Sequence, residues 1–252
     1  MLNPRHTTGA NVIPTENGWH LEIPPGEAGA YRLAQVDDYA GLPRGRFPLR
    51  TPSTLSLRCR VSEAHLPGTW GFGFWNDPFV FSFGLQGKPR RLPVLPNACW
   101  FFHASAENHL SFHNSLPGNG FLVQSFRSPK IPSLLLAPGL LGLPLLFSKL
   151  ISRLLRTVVG KTIGEDSLLL DLDVTQLHTY NLLWRESEVA FSVDDAIVFE
   201  SPISPRGSLG LVIWIDNQYA AWTPEGRIGM GTLQQKAPAW VEIEQVKVMR
   251  NE

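Results

Sequence analysis

LHTYNLLWRESEVAFSVDDAIVFE, residues Leu177 to Glu200, decides the fold. Tyr180, Leu182 and Trp184 alternate with Thr179, Asn181 and Leu183. Val189, Phe191 and Val193 alternate with Ala190 and Ser192. A period of two puts alternate side chains on opposite faces of a strand, so one set faces inward. Asp194 and Asp195 then break the run, and short acidic side chains tolerate the backbone of a tight turn. The stretch predicts antiparallel strands over 178–184, 189–193 and 196–200.

Similar runs recur on both sides. They fall at Trp19 to Ile23, Ala30 to Val36, Thr54 to Val61, Gly71 to Trp75, Phe79 to Phe83, Ala98 to His103, His109 to His113 and Phe121 to Phe126. Leu209 to Ile215, Arg227 to Gly231 and Trp240 to Met249 complete the set. Turn residues separate most of them, including Pro-Gly at 67–68, Asn-Asp-Pro at 76–78 and Pro-Gly-Asn-Gly at 117–120. About fourteen short strands at such spacings predict an all-β sandwich. Gly 22, Pro 21 and only 17% charged residues in 252 agree with short strands and tight turns. One domain over 1–252 accommodates them.

Lys plus Arg is 22 and Asp plus Glu is 22, so no global charge points to nucleic acid. Cys59 and Cys99, the only cysteines, make neither a disulfide framework nor a zinc site. No charged n-region followed by an apolar run opens the chain, which reads as cytoplasmic with an option of membrane association.

One block stands apart. From Asn108 to Gly164 there is no Asp or Glu, while Arg127, Lys130, Lys149, Arg153, Arg156 and Lys161 all fall within it. Residues 127–166 read as an insertion, with an amphipathic helical element near 131–160. Leu146, Leu150, Leu154 and Val158 form one i, i+4 row of a helix over 144–159; Phe147, Ile151, Leu155 and Val159 form the next. Pro144 suits its first turn and Gly160 its stop. The apolar run is broken by prolines and glycines and is too short for a span, which needs about 20 apolar residues. The apolar face predicts burial against the sandwich as a lid, against a second subunit, or on a membrane, with Leu146, Phe147, Lys149, Leu150, Arg153 and Leu154 as contacts.

The stretch from His178 to Asp194 resembles the family 16 glycoside hydrolases of the laminarinase and lichenase type. His178, Thr179, Tyr180, Trp184, Phe191, Val193 and Asp194 match that family's phrase, and Asp195 stands where glycine is usual. Leu66 to Pro78 is similar to its G-x-W-P-A-F-W strand, and Trp240 to Met249 to its closing strand. The resemblance implies a concanavalin-like jelly roll of two curved antiparallel sheets with a concave cleft. It also implies retaining chemistry by acids on one strand, written E-x-D-x-x-E or E-x-D-x-E. By order that strand is Asn97 to Ser105, which holds no acid; Ala98, Trp100 and His103 stand at the motif positions. The active site therefore reads as degenerate.

The cleft would instead offer Trp75, Trp100, Trp214, Tyr219 and Trp222 as platforms, with Asp77 and Asn217 as polar contacts. His103 and His113, on expected neighbouring strands, and Asp216 are the acid/base candidates. The family's calcium site would use Glu244; no cofactor is otherwise required. Three functions stand open: a carbohydrate binder without retaining-glycosidase chemistry, an acid/base isomerase or cyclase on an apolar or aromatic small molecule, and a membrane-surface or homodimer-forming protein anchored by the helix.

Overall fold

A computed structural model describes residues 2–78, 94–131 and 148–250. Two antiparallel sheets of seven strands face each other. Sheet I runs β1 (Asn3–His6), β4 (Leu33–Asp37), β13 (Gly210–Asp216), β6 (Thr69–Trp75), β7 (Ala98–Ala104), β8 (Gly120–Arg127) and β9 (Gly164–Leu169). Sheet II runs β12 (Ala196–Ser201), β11 (Val189–Val193), β10 (His178–Trp184), β5 (Ser53–Val61), β16 (Ala239–Arg250), β3 (Gly18–Ile23) and β2 (Asn11–Pro14). A separate ribbon pairs β14 (Gln218–Trp222) with β15 (Ile228–Thr232). The architecture is the concanavalin-like jelly-roll sandwich, and among the described residues one α-helix, α1 (Lys149–Thr162), lies between β8 and β9.

The opening stretch folds as its alternation predicts. Tyr180, Leu182, Trp184, Val189, Phe191 and Val193 point into the core. Asp194 and Asp195 have φ of 47° and 68°, the left-handed pair that a two-residue hairpin needs. Asp194 also anchors the strand beside it, because its Oδ1 accepts from the Thr179 amide at 2.9 Å. Across the core Phe101 meets Tyr180 and Phe191 edge-on, with centroids 5.0 and 5.3 Å apart. Each such side chain contributes about 1.5–3 kcal/mol by leaving water.

The two sheets differ in one respect that positions the site. Sheet II is covered on its inner face, and its strands alternate buried with part-exposed residues. Sheet I is buried on both faces at β4, β6, β7, β8 and β13. Near-continuous apolar runs such as ACWFFHA reflect that double burial. A second apolar cluster, with Trp100, Phe102, Leu122, Phe126, Val212 and Trp214, therefore covers its outer face. Gly73, at φ 154°, permits this packing; a Cβ there would lie 2.4 Å from the Cys99 carbonyl oxygen.

Several expectations change. His109 to His113 is not a strand; only His109 bridges to Ala221. The strand that follows β7 and pairs with it is β8. The expected strand at 79–83 lies outside the described residues, as do Pro144, Leu146 and Phe147. Gly160 does not stop the helix but lies within it. Its bare Cα lets α1 approach the body, since a Cβ would stand 2.9 Å from the Phe112 carbonyl oxygen.

The helix is also turned largely over, with Ile151 and Val159 half-buried and Val159 packed on the outer-face cluster. Ser152, Arg156 and Gly160 form its buried row, while Leu150, Leu154, Leu155 and Val158 are exposed. The reason is polar. The Ser152 hydroxyl accepts from Trp222 Nε1 at 2.9 Å. The Arg156 guanidinium donates to Asn114 Oδ1 at 3.0 Å and to the Trp222 carbonyl. Those bonds tie one face of α1 to the body, and the leucines are left to point away.

Candidate functional site

The outer face of sheet I gathers most of the aromatic candidates. Residues 69, 71, 73 and 75 of β6 share that face with 98, 100 and 102 of β7 and with 212, 214 and 216 of β13, through unbroken antiparallel register. Trp75, Trp100 and Trp214 come together there. The Trp75 centroid lies 6.0 Å from Trp100 and 6.1 Å from Trp214, whose ring is parallel to it within 6°. Trp100 and Trp214 are 5.8 Å apart. They are only 6% and 8% exposed, whereas Trp75 is half-buried. Two indoles thus fill the face and back the third.

Polar bonds fix these rings. Trp214 Nε1 donates to Thr69 Oγ1 at 2.9 Å, and that hydroxyl donates to Asp216 Oδ1 at 2.8 Å. Tyr31 donates to Asp216 Oδ2 at 3.1 Å. Burial pushes the Asp216 carboxyl up to about 6, against the pull of its hydrogen bonds from Thr69, Gln218 and Tyr31. On the other side Trp100 Nε1 donates to Gln124 Oε1 at 3.1 Å, and Gln124 Nε2 donates to Glu165 Oε1 at 3.0 Å. Burial raises Glu165 too, although the Phe112 amide donates to its Oε2 at 2.8 Å. Tyr31, Thr69, Gln124 and Glu165 were not singled out from sequence. A glutamine amid the apolar run FLVQSF was the available signal, since a buried amide requires partners.

His103 and His113 do not meet. With β7 paired without a bulge to both neighbours, position 103 shares the inner face with Cys99 and Phe101. His103 stacks on Trp70 at 5.7 Å, and its Nε2 bonds the Leu66 carbonyl at 3.1 Å. Burial lowers it to about 4, which keeps it neutral. His113 sits in a loop with Nε2 3.2 Å from the Ile163 carbonyl oxygen at the end of α1. On β7 the outward positions are thus Ala98, Trp100 and Phe102.

The remaining candidates spread outward. Asp77 follows Trp75 in a turn with φ 49° and gives its carbonyl to Arg44. Asn217 is fully buried as a bracket: its Oδ1 accepts from the Arg32 amide at 2.8 Å and its Nδ2 donates to the Ala30 and Leu233 carbonyls. Tyr219 and Trp222 lie on β14, beside rather than within the indole trio. Glu244 pairs with Arg58 at 3.3 Å, so calcium there would have to displace a guanidinium. Among the described residues no three acidic, histidine or cysteine side chains cluster to hold a metal.

No protein-family model matches the chain, and no curated protein matches it. Several solved structures align with it over most of its length. A family 16 glycoside hydrolase from Bacteroides ovatus in complex with a G4G4G3G product aligns at TM-score 0.49 and 8% identity, over 98% of this chain and 94% of that one. LamAcat from Zobellia galactanivorans aligns at 0.48 and 12%, over 95% and 80%. A carbohydrate-binding module from Bacillus subtilis aligns at 0.41 and 10%, over 98% and 95%. At these scores and identities the likenesses carry no argument about what this chain binds. The class defined by its own geometry is a jelly-roll sandwich whose outer sheet face is packed with indoles.

Proposed function

We propose that this protein binds a carbohydrate-like ligand at the outer face of sheet I, on Trp75, without retaining-glycosidase chemistry. The observation that carries the reading is the indole trio. Trp75 keeps solvent access while Trp100 and Trp214 hold it in place, an arrangement suited to stacking against the apolar face of a sugar ring. Asp77, two residues on, is the planar polar group assigned to the ligand, while the Asn76 amide braces the turn through the Leu95 carbonyl and the Asn97 amide.

Two carboxyl pairs of sheet I stand too far apart for either cleaving geometry. Retaining enzymes hold two carboxyls about 5–5.5 Å apart, and inverting ones about 6.5–9.5 Å. Asp216 on β13 and Glu165 on β9 are separated by four strand spacings and six residues along, or about 28 Å at about 4.8 Å per strand and about 3.4 Å per residue. Asp37 lies one strand from Asp216 and four residues along, or about 14 Å away.

Binding is tested by intrinsic tryptophan fluorescence with β-glucan oligosaccharides and by a glycan array, with reducing-end release measured in parallel. The expected outcome is saturable binding, no release of reducing ends, and at least tenfold weaker binding in Trp75→Ala. Binding at background level throughout overturns the ligand class, and reducing-end release overturns the non-cleaving assignment.

A further inference from the structure

Helix α1 shows the body a polar row together with Val159, and the outside the row of Leu150, Leu154 and Val158. Leu150 is 67% exposed, Leu154 60%, Val158 60% and Leu155 40%. Leu150, Leu154 and Val158 form one i, i+4, i+8 row on the side away from Ser152, Arg156 and Gly160. The orientation is held in place. Arg156 is 2% exposed with its guanidinium spent on Asn114, Trp222 and His109, and Arg153 Nε donates to the Glu225 carbonyl at 3.0 Å. Turning the leucines inward would strand that guanidinium without partners. A continuous apolar row held toward solvent is an interaction surface rather than a scatter of single exposed residues.

We propose that this face of α1 docks the protein on an anionic lipid surface. Charge selects the occupant. Lys149, Arg153 and Lys161 are exposed on the same helix, and no Asp or Glu occurs from Asn108 to Gly164. An apolar row with Lys161 in its sector and Arg153 at its edge, on a helix whose charged residues are all cations, matches a surface of acyl chains beneath negative headgroups, with Glu225 the acid that adjoins it at Arg153. A second copy of the chain fits poorly. A two-fold contact through this row would bring the lysines and arginine of both helices together with no acid on either to pair them. The sequence also continues in the same sense, because the helix follows directly on an uncharged apolar run, Ile131 to Phe147. No described helix is long and apolar enough to cross a membrane. This inference does not depend on Trp75, which lies on sheet I.

The test is co-sedimentation of the full chain with phosphatidylcholine vesicles and with vesicles containing about a third phosphatidylserine, at low and at high salt. The wild type is expected to pellet with the anionic vesicles and to lose binding as salt screens the attraction. Leu150→Gln, Leu154→Gln and Val158→Gln together keep good helix formers on an exposed face and should lower partitioning at least a hundredfold. Lys149→Glu with Lys161→Glu should abolish the preference for anionic vesicles. Light scattering reports the oligomeric state of each variant. Equal partitioning of the wild type and the triple variant overturns the proposal. So does a wild-type dimer that the triple variant converts to monomer, since that assigns the face to a second copy.

Discussion

Arg156 Nη2 lies 3.1 Å from His109 Nε2, so the imidazole offers an unprotonated nitrogen to a buried guanidinium. The other acceptors of Arg156, Asn114 Oδ1 and the Trp222 carbonyl, are also neutral. Burial and the Arg156 charge hold His109 below the ordinary histidine value, while Glu225 pulls it the other way. A histidine depressed in the folded state contributes stability above its unfolded value of about 6.5 and loses it as pH falls through the folded value. Amides of α1 are therefore expected to exchange faster at pH 5 than at pH 7.5 after correction for intrinsic rates. His109→Gln keeps an acceptor that does not titrate and should flatten the difference. Equal protection of wild-type α1 at the two pH values would sink this account.

Gly160 gives a prediction of opposite sign to the usual one. Glycine to alanine in a helix interior normally gains about 1 kcal/mol. Here the added Cβ would stand 2.9 Å from the Phe112 carbonyl oxygen, which belongs to main chain and yields little. Gly160→Ala should lower the urea midpoint, by about 1 kcal/mol or more of stability. A raised midpoint would mean that α1 does not press on the body.

The orientation of α1 predicts an asymmetry between its faces. Leu150→Gln and Leu154→Gln should each change stability by no more than about 0.5 kcal/mol, as exposed substitutions do. Ser152→Leu should cost about 2–3 kcal/mol, because it crowds a buried position and leaves Trp222 Nε1 without its acceptor. A helix packed through its leucines would give the reverse order in chemical denaturation.

That asymmetry marks where sequence reading stops. Strand alternation in YNLLW and VAFSV is a local property, so the sandwich and the Asp194-Asp195 turn were legible. Periodicity tells which residues share a face but not which face turns inward. His103 was expected outward and lies inward for that reason; the unbulged register of β7, a non-local fact, decides it. For α1 the rule that apolar faces are buried failed because Arg156 had partners available only on the body. The strands β1, β2, β9 and β14 were missed because NPRH, NVIP, GEDSLL and QYAAW are short or lack strong alternation.

Two buried groups of opposite sign shape the pH profile of the sandwich, and variants separate them. Burial lowers His103 from 6.5 to about 4 in the folded protein. Acidification from about 6.5 to 4 therefore removes stability, of order 3 kcal/mol at about 1.4 kcal/mol per pH unit. Burial raises Asp216 from 3.8 to about 6, so the folded state takes up a proton there first and gains stability as pH falls through the same range. Asp38, also pushed up to about 6, acts in the Asp216 direction. The wild-type curve between pH 6 and 4 is the difference of these contributions. His103→Gln, whose amide can still donate to the Leu66 carbonyl, removes the losing one. Its stability relative to wild type should improve steadily from pH 6.5 to 4. Asp216→Asn removes a gaining one and should steepen the acid loss over pH 6 to 4. Exposed carboxylates held low by hydrogen bonds, such as Asp173 and Glu225, contribute equally to all three proteins and cancel in the comparison. Urea unfolding at pH 7, 5.5 and 4.5 supplies the three curves. Parallel curves for wild type and His103→Gln would show that His103 protonates without cost, which its position against Trp70 in the core does not allow.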